Sequence, residues 1–383
     1  MAQVFHPIRM AMVGGGPGAF IGPVHRMAAE LDGRIRMVAG AFSRDADKSR
    51  QAGAAWGLAA ERAYPNVEAL IAGETARPDG AQLLVITTPN DSHFAICKAG
   101  LEAGLHVMCD KPLTTTLADA QALRPIVAAS GRQFGLTYTY AGYAMTREAR
   151  EIVRRGDLGV VRKVVVEYPQ GWLSQPLERG DFKQAIWRTD PLQAGLGGCL
   201  GDIGVHALHL AEFVTGLRVA RLCADLSSVV PGRALDDDCN MLLRFDNGAP
   251  GVLIASQIST GERNGLRLKV YGERGGLDWT HDHPGRLILN WPDQPSQTLY
   301  AAAPYLSEAG RACARVPTGH PEGYVEAFAN LYRDFAAAIL GEPPAPGACV
   351  PDLEEGLRGV AFVEAVVRGG RGQGGWVVLD EGA

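Results

Sequence analysis

The stretch Ile8-Arg-Met-Ala-Met-Val-Gly-Gly-Gly-Pro-Gly-Ala-Phe-Ile-Gly22 decides the fold of the first part of the chain. Its short apolar run predicts a buried strand, and the apolar positions that follow, from Val24 to Leu31, predict a helix. Between them, Gly14, Gly16 and Ala19 match the pattern Gly-x-Gly-x-x-Gly/Ala. A strand, a glycine turn and a helix in this order predict a dinucleotide-binding site, where backbone N–H groups meet a pyrophosphate.

The same alternation of strands and helices continues to about residue 136. Further strands are predicted over 36–42, 81–87, 105–109 and 133–138, separated by helices over 46–55, 67–72, 92–103 and 117–129. Strands that alternate with helices predict a parallel, doubly wound Rossmann sheet for residues 1–136. Ligands bind at the carboxyl ends of such strands, which directs attention to residues 43–44, 87–90 and 109–112.

The remaining residues, 137–383, have a different pattern. Strands are predicted over 161–168, 222–229, 241–245, 251–256, 266–271, 276–279 and 286–291, and Asp246-Asn-Gly248 is a strong hairpin signal. This indicates an α+β domain with a mixed or antiparallel open sheet. Helices over 324–340 and 352–367 and a strand over 376–379 complete it.

Composition excludes several classes of protein. The 383 residues suit two domains, and 46% hydrophobic residues suffice for sizeable cores. The net charge of -5 argues against a nucleic-acid partner, and without an apolar run of about 18 residues no membrane span is expected. Neither a signal peptide nor a Cys-x-x-Cys motif is recognisable, so the seven cysteines predict reduced thiols in a cytoplasmic protein.

Three polar side chains are candidates for proton chemistry. Lys111 follows the strand that ends at Cys109, although a surface lysine is the ordinary interpretation. Asp202 and His206 lie four residues apart at a predicted helix start, and therefore share one helical face. An aspartate beside a histidine suits an imidazole base, but a helix-capping aspartate and a buried histidine would give the same pattern.

These motifs together resemble the Gfo/Idh/MocA family, named for glucose–fructose oxidoreductase, inositol dehydrogenase and a rhizopine-catabolism protein. Members carry Glu-Lys-Pro after the fifth strand, where this chain has Asp110-Lys-Pro112. The segment Thr87-Thr-Pro-Asn-Asp-Ser-His93 matches the family's Thr-Pro-Asn…His stretch. Gly197-Gly198…Asp202-Ile-Gly-Val-His206 matches its Gly-Gly…Asp-x-Gly-x-His motif, and the resemblance covers nearly the whole chain.

The resemblance implies roles for these residues. Lys111 would touch both the nicotinamide ribose and the substrate hydroxyl, and His206 would accept the proton. Asp202 would touch the substrate or orient the imidazole ring. His209 stands where members often have Asp, which leaves its role open, and two histidines three apart are weak evidence for a metal, so none is expected. The C-terminal sheet would form a homodimer or homotetramer.

The expected cofactor is NAD or NADP. The turn after the second strand leaves the choice open, because Ser43 and Arg44 would suit a 2′-phosphate whereas Asp45 would suit a ribose hydroxyl. The cofactor-binding residues that we predict are Gly14, Gly16, Gly18, Ala19, Phe20, Ile21, Ser43, Arg44, Lys48, Thr88, Pro89, Asn90, His93, Asp110, Lys111, Trp187 and Arg188.

The expected activity is oxidation of a secondary hydroxyl of a sugar, glycoside or cyclitol to a ketone. Aromatic and amide side chains suit the faces and hydroxyl edges of such a ring. Two alternatives stay open: a glycosidase that oxidises its substrate transiently with bound NAD, and a non-catalytic dinucleotide-binding regulator. The predicted substrate-binding residues are Lys111, Tyr140, Tyr168, Gln170, Arg188, Asp202 and His206.

Overall fold

The computed structural model describes residues 6–370 and 375–380, which form two sheets with helices packed on them. The first sheet is parallel, with strand order β2-β1-β3-β4-β5. Its strands are β1 (Ile8–Gly14), β2 (Ile35–Ala41), β3 (Leu83–Thr87), β4 (His106–Cys109) and β5 (Phe134–Leu136). The helices between them are α1 (Ile21–Glu30), α2 (Ala46–Ala55), α3 (Val67–Thr75), α4 (His93–Glu102) and α5 (Leu117–Ser130).

The strand order reverses between β1 and β3, because the chain first moves to β2 on one side and then to β3 on the other. In open parallel sheets, ligands bind in the crevice at this switch point, outside the carboxyl ends of the strands. The glycine turn after β1 and residues 87–90 after β3 therefore border one crevice, and residues 109–112 after β4 lie next to it.

The second sheet has nine strands in the order β13-β12-β11-β10-β6-β9-β8-β7-β14. Neighbouring strands run antiparallel except β6 and β9, which are parallel. The strands are β6 (Val161–Pro169), β7 (Val219–Ser227), β8 (Asp238–Phe245), β9 (Pro250–Ser256), β10 (Arg267–Gly272), β11 (Gly276–Thr280), β12 (Arg286–Asn290), β13 (Gln297–Tyr300) and β14 (Val377–Val378).

Helices cover one face of this sheet and leave the other open. Residues that alternate along β6 and β10, such as Val164, Val166 and Leu268, are buried beneath helices, whereas Leu242 and Ile288 are exposed on the opposite face. The helices of this part are α6 (Ala144–Arg154), α7 (Lys183–Arg188), α8 (Pro191–Ala194), α9 (Val205–Thr215), α10 (Glu308–Ala312), α11 (Tyr324–Leu340) and α12 (Leu353–Gly370).

Helix α11 returns to the first sheet. Its Phe328, Tyr332 and Phe335 are buried in one apolar cluster with Met10 of β1 and Met37 of β2, and α11 also packs along α1. The proposed division of the chain at residue 136 stays a prediction, but the first sheet takes one of its covering helices from far along the chain.

The predicted fold class is confirmed, and three details of the prediction are wrong. The strand that ends at Cys109 is the fourth of five, not the fifth. Residues 200–204 form a π-helical turn, so the predicted helix is regular only from Val205. Helices α6, α7, α8 and α10 and strand β13 were not predicted. Helix α6 carries buried polar residues such as Arg147 and Glu148, which interrupt the apolar period, the other three helices have at most six residues, and β13 is mostly exposed.

Candidate active site

The glycine turn after β1 packs so closely that side chains would not fit. A Cβ on Gly14 would lie 2.7 Å from the Thr87 carbonyl oxygen, and one on Gly16 would lie 2.3 Å from the Phe42 carbonyl oxygen. Gly14 also has a φ of +88°, which favours glycine. Ala19 closes the turn by donating its backbone N–H to the Gly16 carbonyl at 3.0 Å. The turn therefore brings bare backbone to the crevice.

The N-terminus of α1 is open to an anionic ligand. Phe20 precedes the helix with no side-chain cap, and the first turn carries no acidic residue. The first N–H groups of a helix lack partners within the helix and attract phosphate groups. Gln184 of α7 reaches the Gly18 carbonyl at 3.4 Å, so α7 borders the same turn from the second part of the chain.

Asp45, in the turn between β2 and α2, caps the helix that follows it. Its carboxylate accepts from the backbone N–H groups of Asp47 at 2.9 Å and Lys48 at 3.2 Å, which caps α2. These backbone hydrogen bonds, the one from Lys48 foremost, lower the pKa of the Asp45 carboxyl. Ser43 accepts from the Asp45 N–H, and the exposed Arg44 lies 3.6 Å from Asp91. At this turn, the Arg44 side chain is therefore more available to contact a cofactor than the Asp45 carboxylate is.

His93 ties together two loops of the crevice. It is fully buried, with Nδ1 at 2.8 Å from the Pro112 carbonyl and Nε2 at 3.0 Å from the Thr88 carbonyl. Both nitrogens are thus occupied by the protein, and His93 supports the crevice wall without presenting a nitrogen to a ligand. Asn90 likewise donates to the Ala194 carbonyl at 3.0 Å, which fixes α8 against the end of β3.

Asp110 fixes the backbone that carries Lys111. Its Oδ1 accepts from the Lys111 N–H at 2.9 Å and from the Thr137 hydroxyl at 2.7 Å. The family pattern has a glutamate at this position, whose side chain is one methylene longer. The shorter aspartate of this chain contacts the Thr137 hydroxyl directly. The Lys111 ammonium is then directed out of the first sheet toward the second part of the chain.

The Asp202 carboxylate is the centre of the site. Oδ1 accepts from Lys111 Nζ at 3.0 Å, and Oδ2 accepts from Arg188 Nε at 3.2 Å and Gln257 Nε2 at 2.8 Å. Lys111 Nζ also donates to the Asp202 backbone carbonyl. One carboxylate thus joins the strand-end lysine of the first sheet to α7 and to the end of β9.

Electrostatics keep this carboxylate charged. Burial alone would raise the pKa of Asp202, but the charges of Lys111 and Arg188 and the hydrogen bonds from Lys111 and Gln257 outweigh burial. The pKa of Asp202 therefore lies well below its usual range. Asp202 is consequently an anchor for two cations, and its carboxylate oxygens are committed to Lys111, Arg188 and Gln257 and not to the His206 ring.

The π-helical turn that carries Asp202 is held by Asp236. The Asp236 carboxylate accepts from the backbone N–H groups of Gly198 and Leu200, both at 2.7 Å, and from the Cys199 thiol at 3.1 Å. A Cβ on Gly198 would lie 2.1 Å from the Asp236 carbonyl, so this glycine allows the close approach. The glycine run before Asp202 therefore serves packing against residue 236.

His206 lies one turn beyond Asp202, with only 8% of its surface exposed. Its Nδ1 is buried without a hydrogen-bond partner among the described residues. The rings of Tyr138 and Tyr140 meet it edge to face, with centroids at 5.7 and 5.0 Å. Burial lowers the pKa of His206 well below its usual range, the charge of Lys111 lowers it further, and Asp202 offsets part of this. The imidazole is therefore neutral at physiological pH.

A network of neutral polar groups forms the wall beside His206. The Tyr140 and Tyr168 hydroxyls hydrogen-bond each other, and Tyr168 donates to Asn264 Oδ1 at 2.6 Å. Gln170 Nε2 donates to the same oxygen at 2.7 Å, and Asn264 Nδ2 lies 3.2 Å from His281 Nδ1. Burial raises the pKa of Tyr140 to about 12, so its hydroxyl keeps its proton.

Trp187 and Arg188 form a stacked pair at the end of α7. The Arg188 guanidinium lies 4.2 Å from the Trp187 ring centroid and 5.9 Å from that of Trp172. Gln184 contacts both residues, because its Oε1 accepts from Trp187 Nε1 at 3.3 Å and from Arg188 Nη1. Arg188 therefore faces the Asp202 cluster, and Trp187 covers its outer side.

His209 has no place in this cluster. Its Nε2 lies 3.0 Å from Glu355 Oε1 of α12, and its ring stacks on Tyr138 at 4.2 Å.

Among the described residues, no three His, Cys, Asp or Glu side chains come together as metal ligands would. None of the helices in residues 6–370 and 375–380 is both long and apolar enough to cross a lipid bilayer.

The sequence did not reveal several members of the site. Gln257, Asn264 and His281 lie just after β9, before β10 and just after β11, where the sequence pattern indicates only turns. Gln184 and Asp236 were missed because isolated polar residues in connecting segments are ordinarily solvated. A polar residue directly after a strand is the one signal that would have pointed to Gln257 and His281.

Comparison with known proteins identifies both parts of the chain. Residues 8–138 match the model described as an oxidoreductase family with an NAD-binding Rossmann fold, and residues 146–278 match a GFO/IDH/MocA C-terminal domain. The uncharacterized oxidoreductase YfiI of Bacillus subtilis is 35% identical over 381 residues, which cover 97% of this chain and 96% of the relative.

Solved structures agree with this identification. The inositol dehydrogenase homolog of Azotobacter vinelandii complexed with NAD+ is 39% identical, with a TM-score of 0.93 and 97% of each chain covered. The same protein with NADH and myo-inositol is 38% identical, with a TM-score of 0.90 over 97% of this chain and 98% of that one.

A third relative acts on a sugar derivative. Levoglucosan dehydrogenase of Pseudarthrobacter phenanthrenivorans is 25% identical over 312 residues, or 74% of this chain and 76% of that protein. The family resemblance and the nicotinamide dinucleotide predicted from the sequence are thereby confirmed, with the choice between NAD and NADP still open. The chain is an oxidoreductase of the Gfo/Idh/MocA family, with its NAD-binding fold in the first sheet.

Proposed function

We propose that this protein oxidises a secondary hydroxyl of a neutral ring polyol, a cyclitol, sugar or glycoside, to a ketone. One observation supports this most strongly: Lys111 is clamped by Asp202 close to His206, whose Nδ1 is buried and unpartnered. A buried cationic donor and a neutral imidazole are the two groups that removal of a hydroxyl proton requires.

The cofactor fits the crevice at the switch point of the first sheet. The uncapped N-terminus of α1 and the bare Gly14–Gly16 backbone suit a pyrophosphate, and the turn at Ser43 and Arg44 suits the adenosine end. When bound, the nicotinamide supplies the hydride acceptor. The crevice residues 88–90 and 110–111 follow β3 and β4, so we place the nicotinamide beside Lys111.

His206 and Lys111 act on the same substrate oxygen in this proposal. The neutral imidazole accepts the hydroxyl proton, while the Lys111 ammonium donates a hydrogen bond to the oxygen as negative charge develops on it. Asp202 holds the ammonium in place and Arg188 balances the second carboxylate oxygen. With the proton removed from the oxygen, the carbon-bound hydrogen would be able to leave as hydride to a bound nicotinamide.

The proposed substrate class follows from the wall of neutral groups. Tyr140, Tyr168, Gln170 and Asn264 offer hydroxyl and amide partners, which match the hydroxyl edges of a ring. Lys111 and Arg188 are both paired with Asp202, so the wall favours an uncharged substrate over a sugar phosphate. The Azotobacter relative binds myo-inositol, which belongs to this class.

We infer that a second copy of the chain covers the open face of the nine-stranded sheet. The strand registers align one row of outward side chains across it, from Cys223 through Leu242, Val252 and Val165 to Lys269, Asp278 and Ile288. Three adjoining members of this row are apolar, and Leu242 is 53% exposed. An exposed apolar row of this kind is typical of a subunit interface.

The decisive experiment follows reduced nicotinamide by absorbance, with myo-inositol, other cyclitols, free sugars and glycosides, each with NAD and with NADP. Reduction with at least one ring polyol supports the proposal. Release of a sugar from a glycoside without net reduction would assign the chain to the glycosidase alternative. Binding of NADH without either reaction would favour the regulator.

The substitution Lys111→Met tests the mechanism. It should lower kcat about a hundredfold or more, because a donor to the developing oxyanion is lost, while the Kd for NADH changes little. Lys98→Met is the matched control, since Lys98 is exposed on α4 with only a loose ion pair to Glu102. Full turnover by Lys111→Met would overturn the proposed role of this residue.

A further inference from the structure

A cavity that is separate from the Asp202 cluster lies along helix α9. It has a volume of about 190 Å³, opens to the surface, and is lined by residues of α6, α9 and α12. For comparison, a cavity of about 150 Å³ holds a benzene molecule, so this one has room for a ring-sized ligand. None of the residues proposed above for the cofactor or the polyol lines it.

Basic side chains outnumber acidic ones around this cavity. Arg150, Arg218 and Arg358 face Glu212 and Glu355, which leaves a net charge of +1 before His209 is counted. Arg358 pairs with Glu212 at 2.7 Å, and Arg218 lies 3.4 Å from the same carboxylate. Glu355 is hydrogen-bonded to His209 at 3.0 Å. Both acidic groups are therefore already paired.

Arg150 is the cation left over at the mouth of the cavity. No ion pair or hydrogen bond joins its guanidinium to any of the described residues, and it is exposed. It lies 4.5 Å from the centroid of the Phe213 ring, which also lines the cavity. A lining that combines the apolar side chains of Leu208 and Phe213 with a guanidinium that has no ion pair or hydrogen bond to the described residues suits a ligand that has an apolar body and one carboxylate.

The inner wall carries a second unsatisfied group. Tyr138 is 1% exposed, and its hydroxyl has no hydrogen-bond partner among the described residues. A Cβ on Gly359, another lining residue, would lie 2.3 Å from this hydroxyl, which places the hydroxyl at the cavity wall.

We propose that this cavity binds a small organic carboxylate, with the carboxylate group held by Arg150 and Arg218 and the apolar body against Leu208 and Phe213. The ring of Tyr138 separates this ligand from the proposed active site. One face of that ring stacks on His209, and the ring also meets His206 edge to face. A ligand in the cavity therefore contacts the same aromatic group that packs against the proposed base.

The test uses the full-length protein with saturating NADH and two anionic probes, benzoate and succinate, at constant ionic strength. Isothermal titration calorimetry should show saturable binding of at least one probe to the wild-type protein. Benzamide, which has the shape of benzoate without its charge, should bind at least about tenfold more weakly, since a charge-assisted hydrogen bond contributes about 1.5 kcal/mol or more.

Variants locate the binding. The double substitution Arg150→Gln with Arg218→Gln should weaken probe binding at least about tenfold. Arg36→Gln, which changes an exposed arginine on β2, should leave it unchanged. Both arginines of the double variant are at least partly exposed, so the variant should fold. Absence of saturable binding to the wild type, or equal binding by the double variant, would refute the site.

Discussion

The Asp202 side chain shows how much one residue can organise. A buried carboxylate is costly unless it is paired and hydrogen-bonded, and here two cations and an amide satisfy it. Because each partner comes from a different element, the ionised carboxylate also holds the two parts of the chain together at the site. Removing it would leave Lys111 and Arg188 facing each other without a counter-charge.

Arg44 is expected to determine the use of NADP. Asp45 is committed as the cap of α2, so the exposed Arg44 is left to meet a 2′-phosphate. Arg44→Ala should lower kcat/KM with NADP about tenfold and leave kcat/KM with NAD within a small factor, because a charge-assisted hydrogen bond contributes about 1.5 kcal/mol. Steady-state kinetics with both cofactors measure the ratio.

The control for Arg44 is Arg50→Ala, which removes an exposed arginine on α2 that pairs with Asp47, three residues earlier on the same helix. It should leave the ratio of the two cofactors unchanged. If Arg44→Ala reduced the efficiency with NAD and NADP equally, the residue would have no part in discriminating the 2′-phosphate.

At this scale, the sequence predicted the residue types well but not their partners. Lys111, Asp202 and His206 were recognisable because their motifs have fixed spacing. The sequence did not predict that Asp202 pairs with Lys111 and not with His206. A four-residue spacing places two side chains on one face only in a regular helix, and residues 200–204 form a wider π turn. Gln257 and Asn264 reach the site from other strands, and no local pattern reports such distant contacts.

At the scale of elements, the π turn before α9 depends on a single acceptor. Asp236, in the connection before β8, takes three hydrogen bonds from residues 198–200 and so sets the position of Asp202. Wide turns of this type are frequent at functional sites, where they displace a side chain from the regular helical position. The turn is thus part of the site although Asp236 touches no proposed ligand.

Asp236→Ala is expected to impair both stability and activity. The buried N–H of Leu200, the partly buried N–H of Gly198 and a thiol lose their acceptor, which should lower the free energy of unfolding by about 3 kcal/mol. It should also reduce kcat more than it raises KM, because the anchor of Lys111 shifts. Urea unfolding and steady-state kinetics measure the two effects.

Asp238→Ala is the matched control, because among the described residues that carboxylate accepts a hydrogen bond from the Asn240 side chain alone. It should change stability by less than about 0.5 kcal/mol. An Asp236→Ala protein that was destabilised yet kept its wild-type kcat would show that Asp236 supports the fold without positioning the site.

The joint between α1 and α11 should make stability depend on pH. His25 is fully buried and bonded to Tyr332 at 2.6 Å, and burial lowers the pKa of His25 to about 4. In the unfolded chain the His25 side chain has its ordinary pKa near 6.5, so it binds a proton as the pH falls from about 6.5 to 4. In the native state the same side chain stays neutral over this range. The free energy of unfolding should therefore be highest above about pH 6.5 and decline below it, by on the order of 3 kcal/mol at pH 4.

His25→Gln should flatten this decline, as measured by urea midpoints between pH 4.5 and 7.5. Part of the slope should remain, because burial lowers the pKa of His206 in the same direction. The exposed His320 provides the control, and His320→Gln should leave the slope unaltered. A slope that His25→Gln does not change would mean that other groups govern the acid limb.

At the scale of the whole molecule, the open face of the second sheet should control assembly. Leu242→Lys places a charge at one end of the apolar row formed with Val252 and Val165. We expect it to lower the mass of the assembly in light scattering after size-exclusion chromatography. Leu340→Lys, at an exposed leucine of α11, should have no such effect, and an unchanged mass for Leu242→Lys would exclude this face as the interface.

The overall architecture was the most predictable level. Strict alternation of apolar strands with helices predicted the parallel sheet, and the change of pattern after residue 138 predicted the second one. The covering of the first sheet by α11 was not predictable, because an amphipathic helix shows that it has an apolar face but not which surface that face contacts. Helix α6 escaped prediction because its buried Arg147 pairs with Asp334, a partner far along the chain.

The return of α11 to the first sheet has a consequence for synthesis. A ribosome adds about 5–20 residues per second, so β5 emerges roughly 10 to 40 seconds before α11 does. During that interval the apolar surface of Met10, Met37 and their neighbours lacks Phe328, Tyr332 and Phe335, with which it is buried in the finished protein. We therefore expect the nascent first sheet to expose apolar surface until α11 has been made, although the cofactor crevice that it carries is encoded almost entirely in the first third of the chain.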